Sequence, residues 1–216
     1  MSDSREIPAT TAMRCQKGQY FVLRASHWDD GTGPGLAITN EENLLVAGRN
    51  TMEPPDGNAN QYPERPQLVH RPALGGPPRD FEILAGLWIV SNALKQVFES
   101  VDPEAFAFTA CAFTQADGSA GPPYYLCNVV RVLDALDEEA SRVRIKYERD
   151  HDAGEDLRFY SVSGGASLIF KPAVVGNAHV FRQPRLGTQP ICDRAMFEAL
   201  NATNLNGVSL RDTAGL

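Results

Sequence analysis

Apolar and polar positions follow distinct rhythms along the chain, and each rhythm predicts an element. Residues 19–23 form a short apolar run of β-formers and read as a first strand, closed by the turn-like Asp29-Asp30-Gly31 and Gly33-Pro34-Gly35. Residues 87–90 read as a buried strand. Ser91 then stands at a helix N-cap, and Ala93, Leu94, Val97 and Phe98 share one helical face before Asp102-Pro103, which predicts a helix over 92–100. Residues 105–113 resume an extended, Phe-rich strand. Residues 124–133 make a long apolar run. Beyond it Val143, Ile145 and Tyr147 alternate with Arg142, Arg144 and Lys146, the period of a half-buried strand. With the polar segment 134–140 between them, these two runs predict a wide hairpin with an acidic tip. Further strand candidates are 157–162, 167–171 and 178–182.

The strand, capped helix and strand return at a constant offset of 102 residues: Ile89 matches Ile191, Ser91 matches Asp193, and Leu94, Val97 and Phe98 match Met196, Ala199 and Leu200. Phe106 and Phe108 match Val208 and Leu210 without a gap. Two copies are too few for a solenoid, so they read as symmetric parts of one fold. Between 54 and 78 lie seven of the fifteen prolines, each removing a backbone donor, and this stretch is expected to be an extended loop with no central strand or helix. The fold class that follows is α+β: one domain over 1–216 with a largely antiparallel sheet covered by two similar helices, at 92–100 and 194–202.

Composition narrows the classes. A chain of 216 residues, 43% hydrophobic and 22% charged, can bury one sizeable core or two small ones. Its longest apolar runs, 84–90 and 105–113, fall short of the ~20 residues of a spanning helix, and no membrane partner is expected. The polar stretch 1–19 lacks a secretory pattern, so a cytoplasmic location is expected. Cys15, Cys111, Cys127 and Cys192 form no C-x-x-C pair and read as buried free thiols. The net charge of −7 argues against nucleic acid and favours basic partners.

That charge is concentrated. Between Asp134 and Asp156 nine acids (Asp134, Asp137, Glu138, Glu139, Glu148, Asp150, Asp152, Glu155, Asp156) face four bases, which gives five of the seven excess negative charges. Such a run is commonly a solvated face. His151 with Asp152, Glu155 and Asp156 lacks the spacing of a calcium loop or a paired-histidine site, and His27, His70 and His179 are scattered. Glycines at 31, 33 and 35 lack the rest of a dinucleotide fingerprint, and no nucleophile elbow, P-loop or zinc-protease motif occurs. Trp28 and Trp88 could anchor a partner, but Trp88 sits in an apolar strand and reads as core. No catalytic residue, cofactor or metal ligand is assigned.

The stretch Tyr124-Tyr125-Leu126-Cys127-Asn128-Val129 with Asp134, Leu136-Asp137 and Ser141 resembles the "YYLLNVL, D, LD, S" signature of the bacterial polymorphic-toxin immunity proteins of family eleven. Trp88-Ile89-Val90-Ser91 resembles that family's "iVSe" segment, His179-Val180-Phe181-Arg182 its "hiFR" strand, and Gly207-Val208-Ser209-Leu210 its terminal strand. The likeness spans about 80–212, with Cys127 in place of an aliphatic residue and Pro190-Ile191-Cys192-Asp193 where a second "iVSe" is usual. The resemblance implies a protein that binds and neutralises a cognate antibacterial toxin, delivered by a type VI or related contact-dependent system, without catalysis or cofactor. Toxins that attack nucleic acid tend to be basic. Asp134, Asp137, Glu138, Glu139, Asp150, Asp152, Glu155 and Asp156 are therefore the candidate partner-binding residues. The alternatives are a self-associating structural domain that forms a homodimer, a small-ligand-binding domain, and a hydrolase that reverses toxin damage.

Overall fold

Short local signals fix the helices. In the computed structural model, which describes residues 17–28, 31–45, 50–149, 156–187 and 189–216, the Ser91 hydroxyl accepts the Leu94 N–H at 3.2 Å and starts α1 (Asn92–Val101). The Asp193 carboxylate accepts the Met196 N–H at 3.1 Å and starts α3 (Arg194–Asn201). A one-turn helix, α2 (Pro172–Val175), has no counterpart among the sequence expectations.

Thirteen strands are described: β1 (Tyr20–Ala25), β2 (Leu36–Ile38), β3 (Gln67–His70), β4 (Phe81–Leu84), β5 (Leu87–Ser91), β6 (Phe106–Ala110), β7 (Ala112–Thr114), β8 (Tyr124–Val129), β9 (Arg144–Arg149), β10 (Asp156–Ser161), β11 (Val180–Phe181), β12 (Ile191–Asp193) and β13 (Val208–Asp212). They form several sheets where a single one was expected. Two are four-stranded and antiparallel, in the orders β4-β5-β8-β6 and β11-β12-β1-β13. In the first, β5 leads into α1, β6 follows the helix, and β8 lies between them with Ile89 opposite Leu126 and Phe108 opposite Cys127. In the second, β12 leads into α3, β13 follows, and β1 lies between them with Ile191 opposite Val22 and Leu210 opposite Leu23. The first described strand of the chain thus completes a sheet otherwise built from its last quarter.

Both large sheets are buried on two faces. The inner core takes Phe21 and Leu23 from β1 and Val90, Cys127 and Phe106 from the other sheet, together with Leu94 and Phe98 of α1 and Met196 and Leu200 of α3. The helices touch each other, and this core is shared by both sheets. The alternate residues of β1, Tyr20 and Val22, point into a second core with Leu136, Leu168 and Phe170. The alternate residues of β5 and β8, Leu87, Ile89, Tyr124 and Leu126, point into a third with Leu36, Leu44 and Leu68. Burial on both faces explains why the strand runs read as nearly continuous apolar stretches.

Several strand expectations change. The stretch 105–113 breaks at Cys111, whose N–H turns to the Tyr124 carbonyl at 2.9 Å, so β6 and β7 belong to different sheets. Within the proline-rich stretch β3 is the central strand of a small sheet, β2-β3-β7, because Pro66 and Pro72 bracket four residues whose N–H groups remain available. The hairpin expected between 124–133 and 143–147 does not form. β9 pairs with β10 instead, from Asp156 opposite Arg149 to Ser161 opposite Arg144. All six residues of β9 are exposed, so its period-two alternation marks a projecting ribbon and not a half-buried strand. Residues 167–171 contribute only isolated bridges, Ser167 to Arg142 and Phe170 to Leu136.

Candidate functional site

The buried carboxylates serve the scaffold. Glu82, 1% exposed, accepts from the Arg79 N–H and Nε at 2.9 Å, from Arg79 Nη2 at 3.0 Å and from the Trp28 indole N–H at 3.1 Å. The Arg79 guanidinium also lies 4.4 Å over the Trp28 ring. Asp102, 6% exposed, accepts from Arg131 Nη1 and from the backbone N–H groups of His179 and Val180 at 2.9 and 3.0 Å, tying the end of α1 to the start of β11. Both oxygens of Glu82 are engaged in this way, and one oxygen of Asp102 takes all three of its donors. The three described cysteines are buried and unpaired. Burial pushes the Cys111 thiol up to about 12 and Cys127 and Cys192 upward as well, so they are poor nucleophiles.

The acidic segment is placed in part. Asp134 accepts from Gln183 Nε2 at 2.8 Å and pairs with Arg185. Asp137 accepts the Ala140 N–H at 3.1 Å, which closes a turn. Glu138 reaches β10, where Arg158 and the Tyr160 hydroxyl donate to it and hold its carboxyl down at about 2. Glu139 is exposed, with no ion pair among the described residues. Asp156 lies at the other end of β10, 3.4 Å from Arg149. Asp150, Asp152 and Glu155, like His151, fall outside the described residues. Asp137, Glu138 and Glu139 therefore sit at one turn by the base of the ribbon, Asp134 lies in the extended stretch before it, and Asp156 stands apart. Arg158, just beyond the window that made the segment look so acidic, and Arg185, brought back by the fold, pair with Glu138 and Asp134.

A different feature escaped the sequence reading. A cleft of about 340 Å³ opens between the two large sheets, with Leu23, Ile83, Trp88 and Val129 among its apolar wall residues. Its mouth is shaped by the β4–β5 turn, where Ala85 and Gly86 both adopt positive φ (50° and 82°), as a two-residue hairpin demands. Arg24, Arg182, His27, Asn128 and Gln189 supply its polar lining, and no acidic residue contributes among the described residues. The half-buried arginines outside the cleft, Arg79, Arg131 and Arg158, each hold a carboxylate. Among the described residues Arg24 and Arg182 hold none, and each has its Nε sealed from solvent without a hydrogen-bond partner there. The signal for them is local: each is a charged residue directly after an apolar strand run, where burial is costly without a counter-charge.

The fold and these surfaces define an α+β protein whose described buried acids brace its scaffold and whose unmet polar groups line a surface cleft. The model of the immunity protein family (Imm11) matches residues 19–215, and the chain belongs to that family. Membership carries immunity to a toxin, and binding of a cognate toxin, as the family's role. No curated protein matches the chain.

Proposed function

We propose that the protein protects the cell that makes it by binding a cognate antibacterial toxin stoichiometrically in the cytoplasm, without catalysis, in a polymorphic-toxin system of the type VI or related contact-dependent kind. The observation that carries this reading is the family match over 19–215. The structural use of the buried Glu82 and Asp102, which brace Arg79 and Trp28 and tie α1 to β11, agrees with it. The toxin is basic and nuclease-like. The ribbon β9–β10 and its base, with Asp134, Asp137, Glu138, Glu139 and Asp156 and the flanking Asp150, Asp152 and Glu155, form the face that steers it. We also read β5-α1-β6 and β12-α3-β13 as two copies of one unit, each with its helix over its sheet.

Co-expression with the product of the neighbouring toxin gene tests the proposal. Growth should be rescued by this protein and lost without it, and a heterocomplex should bury about 1,200 to 2,000 Å². Charge reversal at Glu139 and Asp156 should slow association and flatten its salt dependence; an unchanged on-rate would remove the ribbon from the interface. A self-associating domain is the second reading, favoured by exposed Ile145, Tyr147 and Leu157 on the ribbon. A homodimer that persists in the presence of the toxin would support it.

A further inference from the structure

We propose that the cleft between the two four-stranded sheets is the seat for a carboxylate side chain of the bound toxin, gripped by Arg24 and Arg182; this inference rests on the toxin-binding reading above. Those two arginines stand out from the other half-buried ones by having no carboxylate partner among the described residues. Arg79 grips Glu82, Arg131 grips Asp102 and Arg158 grips Glu138, whereas the Nε–H groups of Arg24 and Arg182 are shut away from water and donate to nothing. Buried donors in folded proteins nearly always find an acceptor, so two unmet ones in one cleft point to an acceptor that arrives from outside. Among the described residues the polar lining of the cleft is Arg24, His27, Asn128, Arg182 and Gln189, which includes amide oxygens but no carboxylate to balance the two cations.

The chemistry selects a carboxylate. Guanidinium groups match its paired oxygens with two parallel N–H donors, and apolar walls at Leu23, Ile83, Trp88 and Val129 suit the methylenes of an acidic side chain. At about 340 Å³ the cleft sits at the lower end of small-ligand pockets, room for a side chain or two. A nucleotide fits less well. Phosphates favour helix N-termini, and the N-termini of α1 and α3 are closed by Ser91 and Asp193. The cleft also makes sense of the overall charge. A body of net charge −7 attracts a basic partner at long range, and a cationic hollow within it takes one acidic residue of that partner, which fixes the register of docking.

Two measurements test this. In the first, the full-length protein labelled with 15N is titrated with N-acetyl-glutamate N-methylamide and with its uncharged glutamine analogue, and the arginine Nε–Hε resonances are followed. The Arg24 and Arg182 signals should move saturably with the glutamate probe only, and the binding should vanish in Arg24→Gln/Arg182→Gln. Signals that stay in place, or that respond to adenosine 5′-monophosphate at lower concentration than to the glutamate probe, would overturn the assignment. Gln189→Glu guards against a double variant that fails to fold. It is an isosteric change at an exposed position that lines the cleft with Arg24, and its own carboxylate should occupy the arginines, raise the melting temperature and block the probe. In the second measurement the toxin is titrated onto wild type and both variants, with at least a tenfold loss of affinity expected for each. Undiminished affinity would overturn the inference and leave the immunity reading standing. Wild-type protein that takes the glutamate probe but binds no toxin would contradict the immunity reading, and with it the toxin as occupant.

Discussion

Replacing Asp102 with Ala should loosen the junction between the two halves of the molecule. The carboxylate is 6% exposed and is the shared acceptor for Arg131 Nη1 and the N–H groups of His179 and Val180. Its loss strands a cation and two backbone donors at once. Breaking a buried pair costs about 3–5 kcal/mol. The Arg131 side chain keeps 20% exposure and has Glu104 at 3.8 Å, which places the expected loss at the lower end, about 3 kcal/mol. For a domain of this size that corresponds to a melting temperature lower by roughly 6–12 °C. Urea unfolding should show the midpoint falling with an unchanged slope, since the surface exposed on unfolding stays the same. In a double-mutant cycle with Arg131→Ala the two effects should couple by about 1 kcal/mol or more. A loss below about 1 kcal/mol, or strictly additive variants, would refute the view that this carboxylate ties α1 to β11.

Three further outcomes follow from the same geometry. Leu126→Ala, at a fully buried position of β8 facing the third core, should cost about 2–5 kcal/mol in urea unfolding, and a smaller loss would mean that the site collapses around the change. The Glu138 carboxyl is lowered from 4.5 to about 2, chiefly by its hydrogen bond from Arg158 and then that from Tyr160, so its contribution to stability is complete above about pH 4.5 and is lost as pH falls toward 2. Glu138→Gln should flatten the stability profile in that window and leave it unchanged at neutral pH in slope; a variant whose profile still follows the wild type there would remove Glu138 as the source. In a Cys15→Ser background the native protein should resist labelling by a thiol reagent at neutral pH, and three thiols should react after denaturation, because burial raises Cys111 to about 12 and lifts Cys127 and Cys192 too. Rapid native labelling would show that the cores open.

The parts of the fold that were legible in the sequence are those set by neighbouring residues. Ser91 and Asp193 announce their helices because a cap acts within three residues, and 20–25 and 87–91 are apolar enough to read as strands in any context. Pairing is decided at a distance. Nothing near Tyr20 indicates that β1 will sit between β12 and β13, and nothing near Ile145 distinguishes β10 from β8 as its partner. The alternation at 142–147 misled because period two reports a pleated strand, whereas burial depends on what packs against it, and no described element covers β9. The candidate surfaces follow the same division. A charge window ending at Asp156 omits Arg158 and Arg185, which the fold brings back onto Glu138 and Asp134. Arg24 and Arg182 meet in one cleft only because β1 and β11 join the same sheet.

Protection that comes from occupying the toxin is stoichiometric. The most direct measurement is residual toxin activity as a function of the molar ratio of this protein to toxin. Inhibition should rise linearly and be complete near one immunity protein per toxin, in step with formation of the heterocomplex. Full protection at a small fraction of that ratio, or repair of the toxin's damaged target after the toxin is removed, would contradict it and make the protein a catalyst.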